Sequence, residues 1–305
     1  MQAAGTIDPS LRIASVRLDV GDLDRSAAFY EQVLGLPLIS REQDSALLGP
    51  DARRPALRLS AIDEPTPLSP HTTGLFHVAW LHPSRAALAD TVRRVARERW
   101  PISGASDHGV SEALYLSDPD GLGIEIYADR PRERWPHPQD GQGVRLFTLP
   151  LDVDDLMAQS PDEPGDAIAP GTGIGHVHLK VADVPRADAF YRQALGFEEQ
   201  AQLPSAAFVS AGGYHHHIGL NSWQSAGASP PPDTAPHLHE IDFELAGDDE
   251  LDALRRRIAG AAVAAAQGAS EADAEARDAD AEARDGVTVA DPDGNNLSFA
   301  ARTSG

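Results

Sequence analysis

The sequence predicts an α+β protein built from four βαβββ modules. Three observations lead there. Residues 12–36, RIASVRLDVGDLDRSAAFYEQVLGL, align without gaps with residues 173–197, GIGHVHLKVADVPRADAFYRQALGF, at an offset of 161. SDPDGLGIEIY at 117–127 matches ADPDGNNLSFA at 290–300. Within each half, short runs of period-two alternation alternate with apolar stripes of helical period. The chain therefore reads as two related halves, 11–130 and 172–302, joined by a linker at 131–171.

Module one (11–62) opens with VRLDV, where Val16, Leu18 and Val20 share one face of a strand. A helix follows, with Phe29, Tyr30, Val33 and Leu34 as its apolar stripe. Gly35 is placed to end that helix at C′. SALLG and PALRLSA supply the next strands. Module two (74–128) repeats the order with a strand at FHVAWL, a helix at PSRAALADTVRRVARE, and strands at EALYLSD and GIEIYAD. Modules three (173–222) and four (238–300) follow the same plan. The linker carries seven prolines and many acids, with a short helix predicted at Asp154–Gln159. SAGASPPPDTAP (225–236) is a loop. DAEARDADAEARDG (273–286) repeats a seven-residue unit of alanine and charges and reads as a solvated insertion.

Composition excludes several function classes. The 305 residues hold 25 Lys+Arg against 47 Asp+Glu, a net charge of −22. Such a chain repels phosphate backbones and anionic membranes, so neither is an expected partner. Cysteine is absent, which removes disulfides, thiolate metal sites and thiol nucleophiles together. The opening MQAAGTIDPS has no basic stretch followed by an apolar run. No apolar run reaches the roughly 20 residues of a membrane span. A cytoplasmic protein is expected. There is no Gly-rich phosphate loop ahead of a helix and no G-x-S-x-G elbow.

Three phrases are more specific: GLFHVAWLHPSR, DHGVSEALYLSDPDGLGIEIYADRPRERW and SAGGYHHHIGLNSW. With the fourfold βαβββ unit, they resemble the vicinal oxygen chelate superfamily of glyoxalase I, bleomycin-resistance proteins and extradiol dioxygenases, and within it the two-domain catechol-2,3-dioxygenase-like branch. The resemblance covers nearly the whole chain. It implies that paired modules curl into two open mixed-sheet barrels, the vicinal oxygen chelate fold, with a divalent ion inside one of them. It also implies ligands on the first and last strands of modules.

Candidates for those places can be weighed residue by residue. In GHVHLKV, Val177, Leu179 and Val181 form one face, so His176, His178 and Lys180 share the other. His77 in FHVAWL holds the matching place in module two. Glu125 in GIEIYAD points away from Ile124 and Ile126, and a carboxylate in so apolar a strand is costly unless a cation or an arginine such as Arg130 answers it. The equivalent places elsewhere are defective: Ser15 for His176, Ser298 for Glu125, and Glu240 or His239 for His77. Modules two and three together therefore carry the metal triad His77, Glu125 and His176, and modules one and four would form a structural barrel. A rival pairing inside the second half would use His176, Glu240 or His239, and a histidine of the 215–217 run.

Strand alternation puts His215 and His217 on one face and His216 on the other. The acid/base histidine implied by the resemblance falls on His216, with His215 and His217 open by one place in register; its ordinary pKa suits the role. His108, Tyr115 and Tyr127 are further cavity residues, Tyr127 as a hydrogen-bond donor to a metal-bound oxygen. Asp118 and Asp120 in SDPDG, and Asp291 and Asp293 in its repeat, read as turn chemistry because Pro119 and Gly121 flank them.

The expected activity is mononuclear, metal-dependent extradiol cleavage of a small aromatic diol by dioxygen, as in aromatic catabolism. Two histidines and a carboxylate suit Fe(II), with Mn(II) possible. A glyoxalase-like isomerase or lyase using Zn(II) or Ni(II), and a non-catalytic binding protein, are the alternatives. Four modules in one chain are compatible with a monomer or a homodimer.

Overall fold

The computed structural model describes residues 5–53, 55–139, 141–160, 163–268 and 286–302. The alanine- and charge-rich repeat at 273–285 lies outside the described residues. Module one contains β1 (Arg12–Val20), α1 (Leu23–Gln32), β2 (Leu38–Arg41), β3 (Ser45–Leu48) and β4 (Leu57–Ala61). Module two contains β5 (Gly74–His82), α2 (Arg85–Arg97), β6 (Gly104–Asp107), β7 (Ser111–Ser117) and β8 (Gly123–Asp129). The linker adds β9 (Leu149–Pro150) and α3 (Val153–Met157), close to the helix expected there. Module three contains β10 (Gly173–Lys180), α4 (Val184–Ala189), β11 (Glu198–Leu203), β12 (Ala206–Ser210) and β13 (Ile218–Asn221). Module four contains β14 (His237–Leu245), α5 (Asp248–Gly268), β15 (Gly286–Ala290) and β16 (Asn296–Ala301).

The same local chemistry starts the repeated helices. The Asp22 carboxylate accepts the backbone N–H of Arg25, and Asp183, 161 residues on, accepts that of Arg186, each at 3.0 Å. Ser84 caps α2 through the N–H of Ala87 at 3.1 Å. Gly35 and Gly196 follow the helical stretches at φ 75° and 88°, a left-handed conformation that glycine adopts without Cβ strain. The segment Phe190–Leu195 continues α4 as a wider π-helical turn.

Two mixed sheets result, and each takes one module from each half. The nine-stranded sheet runs β11-β12-β13-β10-β5-β8-β7-β6-β9 and joins modules three and two; the seven-stranded sheet runs β15-β16-β14-β1-β4-β3-β2 and joins modules four and one. Both seams are antiparallel, β10 on β5 and β1 on β14. Both carry two register shifts at matching places: Ile174/His176 and His178/Leu179 in one, Ile13/Ser15 and Arg17/Leu18 in the other. The residue passed over in β10 is Gly175, where a Cβ would run into the Tyr127 hydroxyl. Such bulges re-aim the neighbouring side chain, here His176.

The apolar faces of both sheets and the helices on them form one contiguous core, including Trp80, Ile126, Val177, Leu179, Tyr191 and Phe299. The other face of β5, β8 and β10 is free for polar groups. The linker is tied down by Arg94 of α2. Its fully buried guanidinium donates to the carbonyls of Leu34, Gly165 and Ala167 at 2.8–3.0 Å and to Asp90 at 2.9 Å. Among the described residues no helix is long and apolar enough to cross a membrane.

His82 closes the core side of β5 and gives a pH-dependent stability. Its Nδ1–H faces the carbonyls of Trp80 and Tyr127, at 3.1 and 3.2 Å, so Nε2 accepts from the Thr91 hydroxyl at 2.9 Å. Burial pushes its pKa from 6.5 down to about 4. Between those pH values the unfolded chain holds a proton that the folded chain refuses. Stability contributed by neutral His82 is thus complete above pH 6.5 and falls by about 3 kcal/mol as pH drops to about 4. Denaturant unfolding from pH 7 to 4 is expected to show this slope, shallower by nearly one proton in His82→Gln; equal slopes would refute it.

Candidate metal centre

Modules two and three meet where β5 lies between β10 and β8. In the register, His178 is opposite His77, and Ala79 is flanked by His176 on one side and Glu125 on the other. Alternation sends all of these side chains to the inner face, and the small Ala79 leaves room between its neighbours. His77 Nε2 lies 2.9 Å from Glu125 Oε2, and His176 Nε2 lies 3.1 Å from the same oxygen. All three residues are at least 96% buried. One ligand-capable atom from each lies within 4.8 Å of the others. His77 Nε2 makes no well-aligned hydrogen bond despite its proximity to the carboxylate, and His176 Nδ1 has no partner either.

The charge state follows from burial and proximity. Burial pushes the Glu125 carboxyl up, but His176 and then His77 outweigh it and hold the group well below its usual range. Burial drives His176 down to about 4, against the pull of Glu125. The centre therefore presents an anionic carboxylate and a neutral His176 imidazole, the protonation states that metal ligation requires. The mixed nitrogen and oxygen donor set suits a divalent first-row ion, and its misaligned, buried nitrogen is the kind of group that an ion would satisfy. The Arg130 alternative does not hold: that guanidinium bonds Asp107 at 2.7 Å and Glu112 at 3.1 Å.

Around the triad lie two groups of side chains. On one side, Tyr115 is opposite Glu125 in the register, and its hydroxyl is 2.7 Å from His108 Nε2. His108 Nδ1 faces the Phe147 carbonyl at 2.9 Å, so Nε2 accepts the tyrosine proton. His108 thus touches Tyr115 rather than the triad. Tyr127 packs its ring 4.9 Å from that of His176, with its hydroxyl 2.8 Å from the Tyr214 hydroxyl. On the other side, the His216 ring packs against His176, tilted by 48° with the ring centres 4.0 Å apart.

The expected alternation through the histidine run is corrected. Residues 214–217 precede β13 rather than belonging to it, so neighbouring side chains need not oppose one another. His215 Nδ1 lies 2.8 Å from His216 Nδ1, and both residues face His176, whereas His217 Nδ1 turns back to accept the N–H of Ala211 at 3.1 Å. His215 Nε2 reaches Asp129 Oδ1 at 2.9 Å. Where a neutral His215 donates its Nε2–H to the Asp129 carboxylate, its Nδ1 accepts from His216 Nδ1–H. His216 Nε2 is then left with its lone pair. Burial and the neighbouring histidines 176, 215 and 178 hold His216 well below the usual imidazole range, so it is neutral at pH 7. Asp129 and Tyr214 escaped the sequence reading. Asp129 was detectable, since period two from Glu125 passes through Tyr127 to it.

Aromatic rings wall this space. Phe76 contacts His77 and His178 at ring distances of 5.2 Å, Phe208 contacts His216 at 5.0 Å, and Trp223 contacts both Phe76 and His178. Trp223 is 51% exposed and forms the rim. The aspartates of the repeated turns serve backbone bonding instead: Asp118 Oδ1 accepts the N–H of Asp120 and Leu122, and Asp291 Oδ1 those of Asp293 and Asn295.

In the other sheet the register pairs Arg17 with Glu240 where His178 faces His77, so Glu240, not His239, holds the place of His77. With Ser15 and Ser298 it completes the equivalent trio, and Ser15 donates to Asp242. Imidazoles are absent from that trio. The rival pairing inside the second half does not form, since among the described residues no strand of module three is hydrogen-bonded to one of module four.

A sequence profile of the Glyoxalase/Bleomycin resistance protein/Dioxygenase superfamily matches residues 12–126 and 173–299. The catechol-2,3-dioxygenase of Bacillus subtilis (strain 168) is 40% identical over 256 residues, covering 83% of this chain and 89% of its own. The lactoylglutathione lyase of Haemophilus influenzae is 29% identical over 135 residues, which is 39% of this chain. Among solved structures, a candidate dioxygenase from Bacillus subtilis subsp. subtilis str. 168 superposes with a TM-score of 0.61 at 17% identity, covering 99% of this chain and 87% of its own. Glyoxalase I from Zea mays superposes at 0.51 and 16% identity, covering 95% and 92%.

Proposed function

Because the chain belongs to the Glyoxalase/Bleomycin resistance protein/Dioxygenase superfamily, we propose that it is a catechol-2,3-dioxygenase-like oxidoreductase that opens a catechol-type ring beside its diol. The observation that carries this reading is the convergence of His77, Glu125 and His176 on one buried point, with a neutral His216 packed 4.0 Å from His176. The relative at 40% identity supports the same reaction class.

In this reading His77, Glu125 and His176 hold Fe(II), and the aromatic diol and dioxygen are the substrates. The ion, when bound, would supply Lewis acidity and an electron path between diol and oxygen. Everything else falls to the protein. Phe76, Phe208 and Trp223 pack against the ring of the diol and exclude water from it. His216 Nε2, its lone pair exposed by the Asp129–His215 relay, takes a diol proton and returns it during ring opening. Tyr115 and Tyr127, their protons committed to His108 and to the tyrosine pair, brace the walls. A glyoxalase-like base would need a further carboxylate or glutamine beside the triad, and the groups that surround it are His178, His216 and the two tyrosines. All three proposed ligands come from one chain, so the site is complete in a cytoplasmic monomer and equally in each subunit of a homodimer.

Anaerobic loading with Fe(II), then catechol under oxygen, tests the reading. A yellow ring-opened semialdehyde, followed by its visible absorbance, is the expected result. Iron-loaded protein that converts no catechol-type diol would sink it.

A further inference from the structure

The seam of the seven-stranded sheet carries a second constellation, made of residues other than the repeat counterparts of the triad. Asp19 on β1 faces His237 in the β1–β14 register, and His239 is the residue passed over at the bulge between Leu238 and Glu240. The bulge turns His239 to the side of His237. His239 Nδ1 lies 2.9 Å from Asp19 Oδ2, and His237 Nε2 lies 3.5 Å from the same oxygen. One ligand-capable atom from each of the three lies within 4.8 Å of the others.

Two details point to a cation. His237 Nδ1 lies 2.8 Å from the Ala235 carbonyl and must donate to it, which fixes the ring with Nε2 turned toward the Asp19 carboxylate. A backbone carbonyl that orients a histidine in this way is the usual outer support of a metal ligand. Asp19 Oδ1, for its part, is buried without a hydrogen-bond partner. Arg17 stands 3.4 Å from that oxygen and leaves Oδ2 to the histidines. The three residues open onto a cavity of about 390 Å³ that Asp233, Asp293 and Asn296 also line, so its lining is acidic.

We propose that Asp19, His237 and His239 form a second divalent-metal site, of Zn(II) type, that clips the first strand of module one to the first strand of module four. Two imidazoles and one carboxylate match zinc, with a water completing the set. The site is not a remnant of the central one. In the 161-residue repeat Asp19 corresponds to Lys180, and the counterparts of the triad are Ser15, Glu240 and Ser298. A metal bound only by the folded chain stabilises it by mass action.

Equilibrium dialysis of chelator-treated full-length protein against Zn(II) tests this by difference. His237→Asn/His239→Asn is expected to bind one equivalent fewer per chain than the unaltered protein, whatever the central site holds, and to lose part of the Zn(II)-dependent rise in Tm. Its metal-free Tm should stay within a few degrees, since both replaced side chains are partly exposed. Equal stoichiometry in the two proteins overturns the site. Should the variant fold poorly, crystals of the unaltered chain soaked in Zn(II) decide: an anomalous peak between Asp19, His237 and His239 is expected, and its absence refutes the proposal.

Discussion

Replacing Glu125 by glutamine is expected to empty the central site and silence the enzyme while leaving the fold intact. The carboxylate is the one anion among the three proposed ligands, and its Oε2 is the atom on which both imidazoles converge. Glutamine keeps the volume and removes the charge. Loss of an outer-shell partner alone typically costs 10–100-fold in metal affinity, so removing this ligand should cost roughly 100-fold or more. Iron content after gel filtration and turnover of catechol should fall together. The circular-dichroism spectrum should not change, because the amide can still bond a neutral imidazole. A Glu125→Gln protein that retains one iron per chain and full turnover would remove Glu125 from the site.

The second large effect belongs to His216, and it separates proton transfer from metal binding. His216→Ala should retain iron, because His216 is not one of the three donors in the central group, yet lose about 10²- to 10⁴-fold in kcat, the range for a positioned acid–base group. Asp129→Asn acts through the relay. Its amide can present an N–H to His215 Nε2, which flips the tautomers and puts a proton on His216 Nε2 where the lone pair should be. It should therefore lower kcat with little change in KM or iron content. Unchanged kcat in His216→Ala would leave the base unassigned and the Asp129–His215–His216 chain a matter of packing only.

The two variants probe features that the sequence exposed to different degrees. His77, Glu125 and His176 were legible because period-two alternation is unforgiving. In GIEIYAD and GHVHLKV the apolar residues claim one face and force the polar ones to the other. The turn aspartates were legible for a related reason, since proline and glycine around them mark a turn in which a carboxylate accepts backbone N–H groups. The histidine run was not legible at the level of side-chain direction. Three adjacent histidines carry no periodicity, and only the start of β13 at Ile218 decides that 215 and 216 lie outside the ladder. Tyr127 stood in the right strand and His108 in the turn between β6 and β7, but alternation cannot tell whether a hydroxyl or an imidazole meets the central site or another side chain.

Repetition and alternation by themselves determined that this chain folds as four like modules and that the inner faces of β5, β8 and β10 carry imidazole and carboxylate. These are local properties: the backbone's two-residue and 3.6-residue periods translate apolar spacing directly into faces. Which modules share a sheet is different. Strands β5 and β10 are joined across nearly a hundred residues; alternation alone suits either pairing, and only the defective places Ser15, Ser298 and Glu240 or His239 pointed to modules two and three. Only three-dimensional packing chose to set β10 against β5 and β14 against β1. That choice brought two histidines to one carboxylate in one seam, and in the other set a separate pair beside Asp19.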